Sequence, residues 1–361
     1  MKYNPDKPYN DLPPLPPAVD FESKAVLRKA ITASRALAEL KGLGQTIPNQ
    51  SLLVNSLLLQ EAKASSEIEN IITTDDALFK ASTAKTAQVD SETKEVLHYR
   101  EAVWKGYDII LKRPVLSTNL FIELVQTIKK NKAGIRNTIG TKICNKTTNK
   151  VIYTPPEGES LIRDKLKFLE EFIHSEDELD PLIRLALIHY QFEAIHPFSD
   201  GNGRTGRIIN ILFLVQNKLL ELPVLYLSKG IIEHKDEYYR LLKNITVKGE
   251  WKPWVLYILK SVETTAIFTR ERILGIRDLM FDTMEKCKKE LPKRVYSKDL
   301  IELIFHQPYT KIGLLVDAGI ASRNVASNYL QELIKIGVLE KEKIGNEFIF
   351  LNKKLFDLLC S

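Results

Sequence analysis

One short segment concentrates most of the chemically active residue types of this 361-residue chain: residues 196–207, His-Pro-Phe-Ser-Asp-Gly-Asn-Gly-Arg-Thr-Gly-Arg. Its histidine can accept a proton near neutral pH, as a general base must. Its aspartate is a hard oxygen ligand that suits Mg²⁺ together with substrate phosphates. Its two arginines carry permanently charged, forked donors that match phosphate oxygens. The combination predicts a polyphosphate site with a metal ion and a reaction beside it.

The glycines of this segment indicate how a phosphate would be held. Gly201 and Gly203 let the backbone approach an anion closely and tolerate the positive φ angles of an anion-binding nest. Apolar residues at helical spacing predict buried helices on both sides, over Pro181–Ala194 and Thr205–Leu219. Pro197 ends or bends the first of them. The glycine-rich stretch is therefore expected at a helix N-terminus, where free N–H groups and the helix dipole favour an anion.

The same segment resembles the Fic signature, His-x-Phe-x-Asp/Glu-Gly-Asn-Gly-Arg-x-x-Arg, at every fixed position. The resemblance implies a mostly helical domain that transfers AMP from ATP to a hydroxyl side chain of a target protein. It makes His196 the base that deprotonates the target hydroxyl, Phe198 the core anchor of the loop and Asp200 the Mg²⁺ ligand. The ATP-binding residues that it implies are Gly201, Asn202, Gly203, Arg204, Thr205, Gly206 and Arg207.

A second pattern stands far upstream, in the predicted helix Leu52–Ile71. Read alone, its Glu69 fits an ordinary carboxylate on a solvated helix face. However, Ser65, Glu69 and Asn70 together resemble the inhibitory pattern of Fic proteins, Ser/Thr-x-x-x-Glu-Gly/Asn. The resemblance implies that Glu69 pairs with Arg207 and occupies the space that the γ-phosphate of ATP needs. Because the pattern precedes the signature in one chain, the inhibition would be intramolecular.

Composition and charge favour an enzyme of the cytoplasm. The three cysteines, Cys144, Cys287 and Cys360, are too scattered for a disulfide framework, which indicates a reducing compartment. No signal peptide opens the sequence, and its apolar runs are too short to span a bilayer. The net charge of +6 is only mildly basic, so it permits nucleic-acid or nucleotide binding without demonstrating either.

The order of predicted elements divides the chain into four parts. Residues 1–95 form an N-terminal helical region that carries the inhibitory pattern, and 96–265 form the Fic catalytic core. Residues 266–290 are a linker helix, and 291–361 resemble a winged-helix domain. The predicted fold class is therefore mainly α, a Fic helical core with a β-hairpin flap, plus a C-terminal winged-helix domain of the α+β type.

Two segments outside the signature are candidates for substrate contacts. Strand-like runs at Thr141–Asn145 and Lys150–Thr154 predict a β-hairpin around a polar Lys146-Thr-Thr-Asn turn. A plain surface hairpin fits equally well, but in a Fic protein residues 141–154 would be the flap that binds the target segment by strand addition. By the same resemblance, Tyr239 on the predicted helix Glu233–Ile245 would contact the base or ribose of ATP.

The sequence does not decide whether the C-terminal part binds DNA or protein. Three short helices and two strands follow Leu291, as in a winged helix, and the third helix carries Arg323 and Asn324, which could read DNA. Protein docking is favoured instead by the acidic residues of the wing, which are Glu340, Glu342 and Glu347.

The sequence also leaves open whether the protein forms a homodimer. A chain that ends near Lys289 is predicted to keep a folded, nucleotide-binding Fic core.

Two classes of function remain open from the sequence. The first is an AMP transferase autoinhibited by its N-terminal helix, with a variant that runs in reverse and removes AMP from a modified protein. The second is a DNA-binding regulator whose Fic domain only senses a nucleotide. A kinase is disfavoured, because the chain contains neither a Walker-A motif nor the kinase HRD and DFG motifs.

Overall fold

A computed structural model describes residues 3–45, 50–83, 89–144, 148–176, 178–344 and 347–361. Over these ranges the chain is mainly helical. The helices are α1 (Lys24–Gln45), α2 (Gln50–Ile68), α3 (Asp75–Thr83), α4 (Ser91–Lys112), α5 (Thr118–Lys129), α6 (Glu159–Ile173), α7 (Pro181–Ile195), α8 (Asn202–Gln216), α9 (Leu227–Glu233), α10 (Lys235–Lys248), α11 (Trp251–Glu290), α12 (Lys298–Phe305), α13 (Ile312–Asp317), α14 (Arg323–Lys335) and α15 (Lys353–Cys360). The strands are β1 (Ile143–Cys144), β2 (Val151–Tyr153), β3 (Tyr309–Thr310), β4 (Glu340–Ile344) and β5 (Glu347–Leu351).

Helices α7 and α8 form the centre of the fold, because both are apolar on nearly every side. α7 begins with Pro181 in its first turn, and the side chain of Asp180 accepts hydrogen bonds from the first free N–H groups. α8 packs against α4, α5 and α7. The approach to α4 is close, since a Cβ on Gly106 would lie 2.6 Å from a methyl carbon of Leu212. These contacts fix both ends of the predicted phosphate loop.

The predicted helices on either side of the signature are confirmed, with different ends. α8 begins at Asn202 and not at Thr205, because Gly201 adopts φ 82° and turns the chain directly into the helix. α2 ends at Ile68, three residues before the predicted end, and Asn70 follows in the left-handed region with φ 63°. Glu69 therefore lies just beyond the helix end and not on its regular face.

The predicted hairpin before α6 is present but short. β1 pairs with β2 in antiparallel orientation, with Ile143 opposite Tyr153. Residues 145–147 of the predicted turn lie outside the described residues. The N-terminal segment lies along the outer edge of β2. There the N–H of Tyr9 donates to the carbonyl of Thr154 at 3.0 Å. The hydroxyl of Tyr3 also donates to the carbonyl of Ile152, so the first residues of the chain pack beside β2.

The C-terminal segment forms a small α+β unit. α12, β3, α13 and α14 precede β4 and β5, and the sheet order is β3-β5-β4 with antiparallel pairs. The tip between β4 and β5, residues 345–346, lies outside the described part of the chain. A final helix, α15, packs on α11. The helix α15 and the short elements α3, α9 and β3 are not predicted from the sequence pattern.

This C-terminal unit is joined closely to the N-terminal helices. The hydroxyl of Tyr309 donates to Asp76 at 2.6 Å, and Lys80 forms an ion pair with Glu342. One continuous hydrophobic cluster contains core residues of both regions. The expectation that a chain ending near Lys289 keeps an intact core therefore lacks a structural basis, because α2 and α3 would lose part of their packing. No helix in the described ranges is both long and apolar enough to cross a membrane.

Candidate active site

His196 occupies the sharp turn between α7 and α8. It is the C-cap of α7, with φ 49°, and its N–H donates to the carbonyl of Phe192 at 3.1 Å. Phe198 is fully buried and anchors the turn in the core. The side-chain amide of Asn202 closes the turn, because it accepts from the N–H of Phe198 at 2.8 Å and donates to its carbonyl at 2.7 Å. Asn202 therefore shapes the loop, and its side chain is already committed to that contact.

A residue that the sequence analysis missed, Arg136, holds this turn from the other side. Its guanidinium donates to the carbonyl of His196 at 2.7 Å and to those of Pro156 and Ile195. The backbone N–H of Arg136 donates to the carbonyl of Pro197 at 2.9 Å. Arg136 is buried and lies about sixty positions before the signature, so no local pattern points to it. It fixes the backbone on which the candidate base is mounted.

The electrostatic environment keeps the ring of His196 neutral. Burial is the main cause that lowers its pKa, to about 4, and the positive charge of Arg136 lowers it further. Glu69 and Asp200 act in the opposite direction but do not offset burial. A neutral imidazole has a free lone pair on one ring nitrogen, so His196 can accept a proton at neutral pH.

Four charged side chains form a network at the start of α8. Arg204 is buried and donates to Glu95 at 2.7 Å, and Lys129 binds the same carboxylate oxygen at 2.7 Å. Lys129 also pairs with Asp200 at 2.6 Å. Glu95 and Lys129 lie on α4 and α5, far from the signature in sequence. The network orients Arg204 along the face of α8 that the sequence predicts to bind phosphate.

Asp200 is the one signature carboxylate that can reach a metal ion. It accepts the N–H of Gly201 at 2.6 Å. Burial works to raise its pKa, but Lys129 and Arg204 together lower it, so the carboxylate is ionised at neutral pH. Within the described residues, no three His, Cys, Asp or Glu side chains converge as a metal cage. A Mg²⁺ ion here would need phosphate and water oxygens besides Asp200, which is how Mg²⁺ is commonly held in nucleotide sites.

Arg207 meets the upstream pattern directly. Its Nε donates to the hydroxyl of Ser65 at 2.8 Å, and its Nη2 donates to the Ser65 carbonyl at 2.8 Å and to the Glu69 carboxylate at 2.9 Å. Burial works to raise the pKa of Glu69, but Arg207, with help from Arg204 and His196, lowers it. Glu69 also contacts the position where a Cβ on Gly203 would lie. The carboxylate thus lies directly against the backbone of the predicted phosphate loop.

The remaining candidate residues surround this centre. Thr205 and Gly206 are buried on α8, and the Thr205 hydroxyl has no hydrogen-bond partner among the residues that the structure describes. Tyr239 on α10 is half exposed, and its ring lies 5.1 Å from that of Tyr238. Burial is the main cause that raises the pKa of Tyr239, and Glu69 raises it further. Tyr239 therefore lies within electrostatic reach of the Glu69–Arg207 pair.

Asn70 has a structural role that explains its residue type. Beyond the end of α2, the Asn70 N–H donates to the Glu67 carbonyl at 2.9 Å in a turn, and Asn70 itself adopts φ 63°. Glycine and asparagine are the residues that adopt this left-handed conformation most readily. Asn70 therefore lets the chain turn immediately after Glu69 and leaves the carboxylate directed at Arg207.

Three family models match successive parts of the chain. A Fic/DOC family N-terminal model matches residues 27–108, a Fic/DOC family model matches 116–214, and a model of the C-terminal domain of SoFic-like protein adenylyltransferases matches 279–355. The second of these contains the whole signature. The third covers the C-terminal α+β unit from α12 to the start of α15.

Named relatives match a shorter region. Protein adenylyltransferase fic-1 of Caenorhabditis elegans is 32% identical over 115 residues, which are 31% of this chain and 21% of the relative. Protein adenylyltransferase Fic of Drosophila willistoni is 31% identical over 112 residues, or 30% of this chain and 21% of the relative. The matched region thus spans about a fifth of the length of these relatives.

Solved structures show the same fold. A Fic family protein from Desulfovibrio desulfuricans superimposes with a TM-score of 0.57 at 18% identity, covering 95% of this chain and 98% of that one. A fragment of Fic-1 from C. elegans gives a TM-score of 0.52 at 21% identity, covering 70% of this chain and 74% of the fragment. With a complete signature in the geometry described above, this chain belongs to the Fic/DOC family.

Proposed function

We propose that this protein transfers AMP from ATP to a hydroxyl side chain of a target protein and is held inactive by its own Glu69. The observation that carries the proposal is the placement of a neutral His196 beside the anion-binding start of α8, with Arg204 and Arg207 on the same helix. The names of the relatives, protein adenylyltransferases, support the same reaction.

The reaction balances as a substitution at the α-phosphorus. The oxygen of the target hydroxyl forms a bond to that phosphorus, the bond to the bridging oxygen of the β-phosphate breaks, and diphosphate leaves. The hydroxyl proton goes to a ring nitrogen of His196. Such a base supplies about 10²–10⁴-fold of the acceleration. The rest comes from positioning and from the positive charge that Arg204, Arg207 and the N-terminus of α8 present to the phosphates.

The proposed metal is Mg²⁺, which would neutralise part of the phosphate charge when bound. Asp200 would be its protein ligand, because this carboxylate is ionised and largely exposed. In this structure the positive charge beside Asp200 is the ammonium group of Lys129, at 2.6 Å. A metal ion on Asp200 would compete with Lys129 for this carboxylate, while the contact of Lys129 to Glu95 could remain.

Inhibition follows from competition for one guanidinium. Arg207 is buried, and its hydrogen bonds go to Ser65 and Glu69. The Glu69 carboxylate accepts from Nη2 of Arg207 and lies against Gly203, so a γ-phosphate that takes this donor must displace it. ATP must therefore displace Glu69, or bind in a register that places the α-phosphorus away from His196.

The hairpin of β1 and β2 is the proposed docking place for the target. The hairpin lies next to the candidate active site. The hydroxyl of Tyr153 on β2 donates at 2.7 Å to the carbonyl of Ala194, which is two residues before His196. An extended target segment can add to a strand edge through backbone hydrogen bonds. The edge of β2 is accompanied by Tyr9, so β1 offers the open edge.

The C-terminal unit is proposed to be a winged helix that docks on protein. The order helix, strand, helix, helix, strand, strand supports this interpretation. Residues 291–361 hold ten Lys and Arg against eight Asp and Glu, which is a weak charge excess for a DNA-binding surface. The wing residue Glu342 is already paired with Lys80 of α3.

Labelled ATP tests the proposed reaction. With label on the α-phosphate, we expect radioactivity on protein, whereas label on the γ-phosphate should appear only in diphosphate. Transfer of the γ-label to protein would contradict the proposal and indicate a kinase. Tight binding to duplex DNA without transfer of either label would instead favour a nucleotide-sensing regulator.

A further inference from the structure

Glu193, a residue that the proposed reaction does not use, lies beside the Glu69–Arg207 pair. It is on α7, three residues before His196, and faces α8. A Cβ on Gly206 would lie 2.7 Å from the Glu193 Oε1 atom, just as a Cβ on Gly203 would meet Glu69. Positions three apart on a helix are neighbours on one face. The two carboxyl groups therefore lie side by side on the face of α8 that carries Arg207.

The two carboxyl groups differ in their bonding. Glu69 accepts a hydrogen bond from Arg207 at 2.9 Å. Glu193 Oε1 is buried and has no hydrogen-bond partner in the described part of the chain. Glu193 as a whole is partly buried, and an ionised carboxylate that has one oxygen buried without a donor is costlier there than a neutral carboxyl group. The geometry thus disfavours a charge on Glu193 while Glu69 remains ionised.

The charges around Glu193 agree with this assignment. Burial is the main cause that raises its pKa, to about 7, and the nearby Glu69 raises it while Arg207 lowers it. The other titratable groups that face the cluster keep their charge between pH 6 and 8. Glu69 has a lowered pKa, Arg207, Tyr238 and Tyr239 have raised ones, and that of His196 is about 4.

One further group titrates near this range. Glu61 on α2 also interacts with Arg207, and burial raises its pKa to about 7. Its oxygens, however, accept hydrogen bonds from Ser228 and from the hydroxyl of Tyr99. Glu61 is therefore held in a closed network, whereas Glu193 has no such bonds. A substitution at Glu193 separates the two contributions.

We propose that Glu193 makes the binding of a nucleoside triphosphate at Arg207 depend on protonation. The neutral carboxyl group can lie beside a γ-phosphate and donate a hydrogen bond to one of its oxygens. The carboxylate repels the same phosphate and adds to the competition of Glu69 for Arg207. This inference rests on the proposed nucleotide site. It makes Glu193 a specificity residue for the γ-phosphate, since AMP places no charge there.

The size of the effect follows from proton linkage. Binding of the γ-phosphate beside Glu193 adds negative charge and stabilises the neutral form. If the pKa of Glu193 rises by about one unit on binding, the affinity for ATP falls by up to about tenfold once the free carboxyl group is ionised. The effect is absent below pH 6 and develops as the pH rises through about 7, the pKa of Glu193.

Calorimetric titration of ATP into the full-length His196→Ala variant, which prevents turnover, tests this at pH 6 and pH 8. A second protein carries Glu193→Gln in addition, which keeps the shape of the neutral carboxyl group. We expect the affinity for ATP to fall about five- to tenfold with pH in the first protein. The fall in ATP affinity should be much smaller in the second protein, because glutamine does not ionise. Protonation of ATP itself affects both proteins equally and therefore cancels in the comparison.

Titration of AMP is the ligand control, and the Glu193→Gln substitution should leave its affinity unchanged at both pH values. The inference is overturned if both proteins lose the same factor in ATP affinity between pH 6 and 8, or if Glu193→Gln changes AMP affinity as strongly as that of ATP. If none of the nucleotides binds to either folded protein, the proposed nucleotide site is itself contradicted, and this inference with it.

Discussion

Arg207 and Glu69 are joined at 2.9 Å although they are 138 positions apart in the chain, and the same guanidinium also donates twice to Ser65. Three hydrogen bonds thus tie the helix that precedes the Fic domain to the last arginine of the signature. The three bonds use Nε and Nη2 of this buried guanidinium, so a phosphate that binds to either nitrogen must replace one of them.

Replacement of Glu69 by glycine is expected to raise AMP transfer, including self-modification. The pair joins a buried arginine to a carboxylate that is 34% exposed, so its breakage should cost about 1–3 kcal/mol after allowance for solvent screening. At about 1.4 kcal/mol for each factor of ten, the gain should be roughly ten- to a hundredfold. Initial rates of transfer with α-labelled ATP measure it.

Glu67→Gly is the matched control, because it places a glycine in the same turn but removes no contact to Arg207. Its transfer rate should equal that of the unmodified protein. Equal activation by both substitutions would mean that loosening of the helix end, and not loss of the carboxylate, relieves the inhibition. Arg207→Ala should not reproduce the activation, since it removes the phosphate contact together with its competitor.

Asp200→Ala is expected to abolish the dependence of transfer on Mg²⁺ together with most of the activity. Lys129→Ala should have the opposite effect on the metal, since it removes the cation that lies 2.6 Å from Asp200. Titration of Mg²⁺ in the presence of a non-hydrolysable ATP analogue measures both. An unchanged metal affinity in Asp200→Ala would show that the metal is held by other groups.

Arg136 is expected to be a positioning residue for His196. In Arg136→Ala two buried backbone carbonyls and the partly buried carbonyl of His196 lose this donor, which should lower the free energy of unfolding by about 2–4 kcal/mol. In the protein that remains folded, kcat should fall more than ATP affinity, because the loop that carries the base is no longer fixed. The exposed Arg113 provides the control, and Arg113→Ala should change neither quantity.

The sequence predicts which signature residues lie together because the signature is local. Residues 196–207 form one turn and the start of one helix, so spacing alone indicates which groups lie together. The signature does not predict the residues that approach it from other parts of the chain, which are Glu95, Lys129, Arg136 and Glu193. Each reaches the site from another helix or loop, and only the packing of α4, α5 and α7 around α8 brings them there. Of these, Glu193 had a signal, since it precedes His196 by one helical turn.

The same reasoning explains the errors at element ends. Periodicity extended α2 to Ile71, because apolar residues continue past the point where Asn70 leaves the helix. It also placed the start of α8 after the glycines, since glycine is a poor helix former. In the fold, Gly201 supplies the left-handed turn and the helix begins directly behind it.

The junction with the C-terminal unit should contribute measurably to stability. Tyr309→Phe removes the hydroxyl that donates to Asp76 at 2.6 Å and should lower the free energy of unfolding by about 1 kcal/mol. A chain that ends near Lys289 should lose far more, because Phe79 of α3 would lose its ring contact to Phe356. Thermal unfolding of both variants measures this, and an unchanged midpoint in the truncated chain would show that the two regions are independent.

The most direct test of the account compares Glu69→Gly with the double variant Glu69→Gly/His196→Ala, using α-labelled ATP and following label on protein. We expect strong transfer in the first and at least a hundredfold less in the second, with ATP affinity retained, because loss of a general base costs about 10²–10⁴-fold. At saturating ATP, the activity of Glu69→Gly should persist on the acid side until the pH falls to about 4 or lower, because loss of Glu69 removes one of the charges that raise the pKa of His196. Transfer by the double variant at the rate of Glu69→Gly would contradict the account.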